Sequence, residues 1–150
     1  MDETDLLIMQ MLAHDGRTTL KDLARRVNLS SPSAAERLRR LEERGAILGY
    51  RAEVHPGALG FGLQAIIRVR PLPGRTQQVQ SALEAIEEVT ECDKVTGDDC
   101  FVVRLYLRSI GDLDTLMQSV TELAETSTAL VKSQPIRRRP PPMRAEPSRW

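Results

Sequence analysis

The chain is poor in aromatic residues, with two Phe, two Tyr and one Trp in 150 positions. That is too few to tile a base-stacking surface for single-stranded nucleic acid. It has two cysteines, Cys92 and Cys100, and two histidines, His14 and His55. No C-x-x-C pair occurs, and no histidine lies near a cysteine in sequence. A zinc site built on closely spaced ligand pairs is therefore not expected. Nor is a cysteine nucleophile with a base beside it. No apolar run approaches the roughly 18 residues that span a bilayer. The opening stretch, MDETDLLIMQ, is acidic and lacks the basic-then-apolar order of a signal peptide. These absences predict a cytoplasmic chain that uses no metal and no cofactor and is not an enzyme.

The first sixteen residues also lack Lys and Arg, and they hold four acids. Net charge is zero, but its distribution is uneven. Residues 17–51 carry nine basic and four acidic residues, whereas residues 57–134 carry seven basic and eleven acidic ones. Residues 135–150 add five Arg and one Glu. Blocks of opposite sign predict two modules with different partners.

Three short helical patterns fill the first module. Leu6, Ile8, Met9, Leu12 and Ala13 share a broad face over 3–14, where Asp2 or Thr4 can cap the start. Leu20, Leu23, Ala24 and Val27 form a stripe over 18–27, and Asn28 follows, a residue that tolerates a left-handed turn. The run SSPSAAERLRRLEERG, 30–45, opens a third helix with Ser31 as expected N-cap and Pro32 in the first turn. Ala34, Leu38 and Leu41 make its narrow apolar stripe, and Gly45 stops it.

Two short helices joined by a tight turn, the second with small polar residues at its start and Arg along its side, read as a helix-turn-helix. Its second helix fits the major groove of duplex DNA. Short side chains at its start allow close approach, and Arg pairs with phosphates or guanine edges. Ser31, Ser33, Ala35 and Glu36 are expected near base edges, with Arg37 and Arg40 on bases or phosphates. Lys21, Arg25 and Arg26 would serve the DNA backbone. The i, i+4 pairs Glu36–Arg40 and Arg39–Glu43 also suit an ordinary solvated helix. The preceding helix and turn, and the excess of basic residues from Lys21 to Arg40, favour the DNA reading.

These residues resemble the Lrp/AsnC family of transcription regulators. Asp5, Ile8 and Leu12 match its first helix, and Asp15-Gly16-Arg17 matches its DGR turn. Leu23-Ala24 and Val27 match its second helix, and Leu29-Ser30, Arg37, Arg40, Leu41 and Glu42 match its recognition helix and the turn before it. GAILGYRAEVHPGALG, 45–60, is similar to the family's connector. Here Ser31 precedes Pro32, where many members have proline directly after the Leu-Ser pair.

Beyond residue 62 the period changes to that of strands. LQAIIRVR (63–70), TECDKVT (90–96), CFVVRLYLR (100–108) and STALVKSQPI (127–136) read as strands. TQQVQSALEAIEEV (76–89) and SIGDLDTLMQSVTELAE (109–125) read as helices. The order βαββαβ predicts a ferredoxin-like antiparallel sheet with both helices on one face. The opposite face, with Val102, Arg104, Tyr106, Ile66 and Arg68, is left to pack on a partner. The expected fold is thus α+β. A winged helix-turn-helix occupies 1–45, a connector strand or linker 46–62, and a ferredoxin-like domain 63–136. A disordered Arg/Pro-rich tail follows at 137–150. That tail reads as a solubilising segment, with non-specific attraction to DNA the alternative.

The resemblance implies a sequence-specific DNA-binding regulator controlled by a small effector, an amino acid in the first instance. It implies a homodimer formed sheet to sheet, an octamer where four dimers stack, and nucleoid association without a membrane. An effector-sensing oligomer with only non-specific, architectural DNA binding is the rival reading. The resemblance also places an effector pocket at the glycine-led turn of VTGDDCFVV, 95–103. Gly97, Asp98, Asp99 and Cys100 are then its candidate residues. Many members carry Asp where this chain has Cys100. Either a neighbouring Asp takes over the ammonium contact, or the ligand differs or is absent. Read without the resemblance, Gly97-Asp98-Asp99 is simply a good turn. A turn there sets Val95, not Cys92, opposite Cys100, so no disulfide is expected.

Overall fold

The computed structural model describes residues 1–144. The chain divides into two compact units, one of residues 1–53 together with 137 onward, the other of Val54–Ile136. The end of the expected tail, residues 145–150, lies outside the described residues.

The first unit holds α1 (Glu3–His14), α2 (Leu20–Arg26) and α3 (Ser31–Glu43). Each starts on a side-chain cap. Asp2 and Asp5 form a reciprocal capping box on α1, and the Thr19 hydroxyl accepts from the Asp22 amide. On α3 the cap is Ser30 rather than the expected Ser31: its Oγ accepts from the Ser33 amide, and Ser31 and Pro32 are already helical. Proline tolerates this position because the first-turn amides have no intrahelical acceptor. Asn28 turns the chain with φ 54°. Leu6, Ile8, Met9, Leu23 and Leu41 form the core, with Leu12, Val27, Leu38 and Ile47 packed around it. Among the described residues this unit contains no strand. Of the two expected forms of the connector, strand or linker, the described residues take the linker. Residues 46–55 are irregular and a single 3-10 turn, Pro56–Leu59, follows. Residues 137–144 have no regular secondary structure, yet Met143 packs against the three-helix core.

The second unit holds β1 (Leu63–Pro71), α4 (Thr76–Glu84), β2 (Val89–Lys94), β3 (Phe101–Leu107), α5 (Asp112–Thr121) and β4 (Ala124–Leu130). The four strands run antiparallel in the order β2-β3-β1-β4. Period-two alternation decides the faces. Ala65, Ile67 and Val69 of β1 and Phe101, Val103, Leu105 and Leu107 of β3 point to one side and are fully buried. Val79 and Leu83 of α4 and Met117 and Val120 of α5 complete that core. Each such side chain contributes about 1.5–3 kcal/mol of burial. Both helices therefore cover one face, as the βαββαβ order predicts.

The last strand starts three residues earlier than its sequence suggests. β4 runs from Ala124, paired with Pro71, to Leu130, paired with Ala65. Its residues AETSTAL are almost all exposed, so they carry no alternation from which to read a register. Pairing with β1 sets the register instead.

Candidate functional site

The first candidate surface is α3 with the turn before it. Ser31 and Ser33 are exposed at its start, Ala35 and Glu36 are half-buried, and Arg40 is exposed. Lys21, Arg25 and Arg26 are exposed on α2. All nine candidate DNA-contact residues thus belong to one unit. Their engagements differ. The Arg25 guanidinium lies 2.7 Å from the Asp22 carboxylate. Glu36 accepts from Arg39 at 2.8 and 3.0 Å and from Arg40 at 3.0 Å, and Arg39 also donates to Glu43. The Arg39 hydrogen bonds first, and those from Arg40 second, hold the Glu36 carboxyl down at about 2. These two arginines are thus paired along the helix.

Arg37 is engaged within the same unit. Its Nη1 donates to Asp2 at 2.6 Å and to Asp5 at 2.8 Å. The side chain reaches back to the capping box of α1 instead of outward. The Asp2 carboxyl is held below its ordinary range, first by the Asp5 amide and then by Arg37. Near the end of α3, Tyr50 Oη donates to Glu42 at 2.8 Å. Burial, reinforced by Glu42, pushes the Tyr50 hydroxyl up to about 12, so it remains a donor at neutral pH. α3 is thus held at its middle by Arg37 to α1 and near its end by Tyr50 of the segment that follows. Local helical spacing carries no sign of the Arg37 clamp, because its partners lie 35 and 32 residues away.

The second candidate surface is the β2–β3 tip. The Val95 amide bonds the Cys100 carbonyl at 2.8 Å, and Lys94 pairs with Phe101. Val95 is therefore opposite Cys100, as expected, and both cysteines are free thiols. Gly97 has φ 114°, a backbone state that glycine adopts without strain. Cys100 Sγ donates weakly to the Gly97 carbonyl at 3.8 Å. Arg70 of β1, which sequence reading did not single out, lies 3.3 Å from Asp99 and also pairs with Glu125. Its place at the end of β1, beside the start of β3, is the only signal that could have found it. Asp98 is exposed. The four candidate effector residues are brought together here. Burial, then Asp93 and Glu84, raises the Cys92 thiol, which disfavours its thiolate. No cluster of metal-ligating side chains occurs among the described residues. No helix among them is long and apolar enough to cross a membrane.

Comparison with known proteins decides the family. Residues 64–141 match the Lrp/AsnC ligand binding domain, and residues 1–47 match a winged helix-turn-helix DNA-binding domain. The chain belongs to the Lrp/AsnC family. It is similar to the HTH-type transcriptional regulator LrpA of Mycobacterium tuberculosis, 37% identical over 129 residues, 85% of this chain and 86% of that protein. Its fold is similar to the structure of Bacillus subtilis LrpC, with a TM-score of 0.83 at 26% identity, covering 89% of this chain and 96% of that one. It also resembles the feast or famine regulatory protein of M. tuberculosis complexed with L-methionine. There the TM-score is 0.83 at 34% identity, covering 91% and 95% of the two chains. This Lrp/AsnC member is a DNA-binding transcription regulator with an effector-responsive second unit, in which the ferredoxin-like order is retained.

Proposed function

We propose that the start of α3 enters the major groove, with Ser31, Ser33, Ala35 and Glu36 toward base edges and Arg40 on a base or phosphate. Lys21, Arg25 and Arg26 serve the DNA backbone. Arg37 is a positioning residue that holds α3 to α1. The observation that carries this reading is the exposed, small-residue start of α3, capped by Ser30 and braced by Arg37 and Tyr50. A homodimer joined through the uncovered sheet faces would present two such helices to half-sites about 34 Å apart. Stacking of four dimers would give an octamer. The domain limits are 1–45, 46–62 and 63–136, with the Arg/Pro-rich segment beyond. The setting is cytoplasmic, on the nucleoid, and the chain performs no catalysis.

For the effector we infer an amino acid held at the Gly97 turn. Backbone amides there donate to its carboxylate, and Asp98 takes the ammonium group, because Asp99 already faces Arg70. The M. tuberculosis relative in complex with L-methionine supports an amino acid of this class. Selection of genomic fragments with the purified protein, repeated with each free amino acid, tests the reading. Enrichment of a common two-fold motif, shifted by one class of amino acid, is the expected result. Unselective retention of all fragments would support the architectural alternative instead.

A further inference from the structure

The DNA-binding unit has no excess of positive charge over its first 53 residues. Residues 1–53 contain nine basic and nine acidic residues, so the three-helix body is net neutral. Several of its arginines also sit beside acids, which lowers the positive field around them. Arg25 pairs with Asp22, Arg37 with Asp2 and Asp5, Arg39 with Glu36 and Glu43, and Arg40 with Glu36. Duplex DNA is a dense line of negative charge, and affinity for it rests largely on cations that displace condensed counterions. A net-neutral body is poorly equipped for that.

The missing charge sits in the segment after the second unit. Residues 137–144, RRRPPPMR, carry four Arg and no acid. They group with the DNA-binding unit rather than with the unit they follow. Met143 is the anchor: its side chain packs against the core of Leu6, Ile8, Met9, Leu23 and Leu41. Gln10 Nε2 on α1 donates to the Met143 carbonyl at 3.1 Å. Pro140, Pro141 and Pro142 separate that anchor from Arg137–Arg139. A proline run is stiff and extended, so little entropy is lost in holding it. At about 3.1 Å per residue it sets the three arginines roughly 12–19 Å from the anchor. All three are exposed.

We infer that residues 137–144 form a basic arm of the DNA-binding unit, docked through Met143, that grips the phosphate backbone of duplex DNA. The arm adds sequence-independent affinity and leaves base reading to α3. The inference rests on the DNA-binding role of the first unit but not on which α3 residues meet bases.

The test is a salt titration by fluorescence anisotropy on a selected operator and on an unrelated duplex. The full chain is compared with the triple variant Arg137→Gln, Arg138→Gln, Arg139→Gln. Each arginine that meets a phosphate contributes about 0.9 to the slope of log affinity against log salt. The triple variant should show a slope shallower by up to about 2.7 and an equal fold-loss on both duplexes. Met143→Ser keeps every charge and frees the arm, so it should weaken both duplexes with unchanged melting of the second unit. Slopes equal to wild type on both duplexes would overturn the arm. Met143→Ser binding as wild type would overturn the anchor. Absence of any operator preference in the wild type would count instead against the α3 reading, and the slope comparison would still report on the arm.

Discussion

At the scale of single residues, Arg37 makes the contacts that its spacing announces least. Sequence spacing sets it on the same stripe as Ser33, Arg40 and Arg44, a sensible place for a groove contact. The structure shows it bonded to two carboxylates of α1. Asp5 is only 15% exposed, so screening of that bond is limited, while Asp2 at 54% is much wetter. Arg37→Ala should therefore destabilise the first unit, read as a lower melting temperature. Its affinity for operator and for unrelated DNA should fall together. The acid dependence has a definite sign. Asp2 is depressed from its ordinary 3.8, so its contribution is present above that value and fades as pH falls below it. Arg37→Ala should flatten that acid limb. An Arg37→Ala protein that melts as wild type but loses only operator preference would return Arg37 to the groove.

At the scale of elements, legibility followed burial. β1 and β3 were readable because one face of each is fully buried and the period is clean. The start of β4 was not, because its polar residues take their register from β1 alone. The hairpin between β2 and β3 was readable in register, since a turn at Gly97 forces Val95 opposite Cys100. Its chemistry was only half readable. Arg70 is distant in sequence from Asp99, and only the β1–β3 pairing brings them together. That contact separates the two acids of the turn. Asp98→Ala should weaken amino-acid binding about 10- to 100-fold by calorimetry, the worth of one charged hydrogen bond. Asp99→Ala should weaken it much less, because Asp99 is engaged by Arg70. Equal binding by both variants and wild type would move the pocket elsewhere.

At the scale of the whole molecule, two surfaces look for partners. One sheet face is sealed by α4 and α5. The other, covered by neither α4 nor α5, leaves Ile66, Val102, Arg104 and Tyr106 half-buried. Tyr106 Oη accepts from Gln64 Nε2 at 3.0 Å, so the ring is braced in place. A carboxylate introduced there would be unpaired once two faces meet. Tyr106→Glu should keep the melting of the isolated chain and convert a dimer to a monomer at micromolar concentration by light scattering. A monomeric wild type would sink the sheet-to-sheet dimer. The other surface is α3, and the account stands or falls on it. Ser33 is the third residue after the Ser30 cap, where a glutamate completes a capping box and favours the helix. Ser33→Glu therefore separates folding from binding. The most direct measurement is operator affinity by anisotropy for Ser33→Glu beside its melting temperature. The expected result is a melting temperature equal to or above wild type and an operator affinity reduced by at least about 10-fold, a loss of about 1.4 kcal/mol or more. Undiminished operator binding by a well-folded Ser33→Glu protein would contradict it.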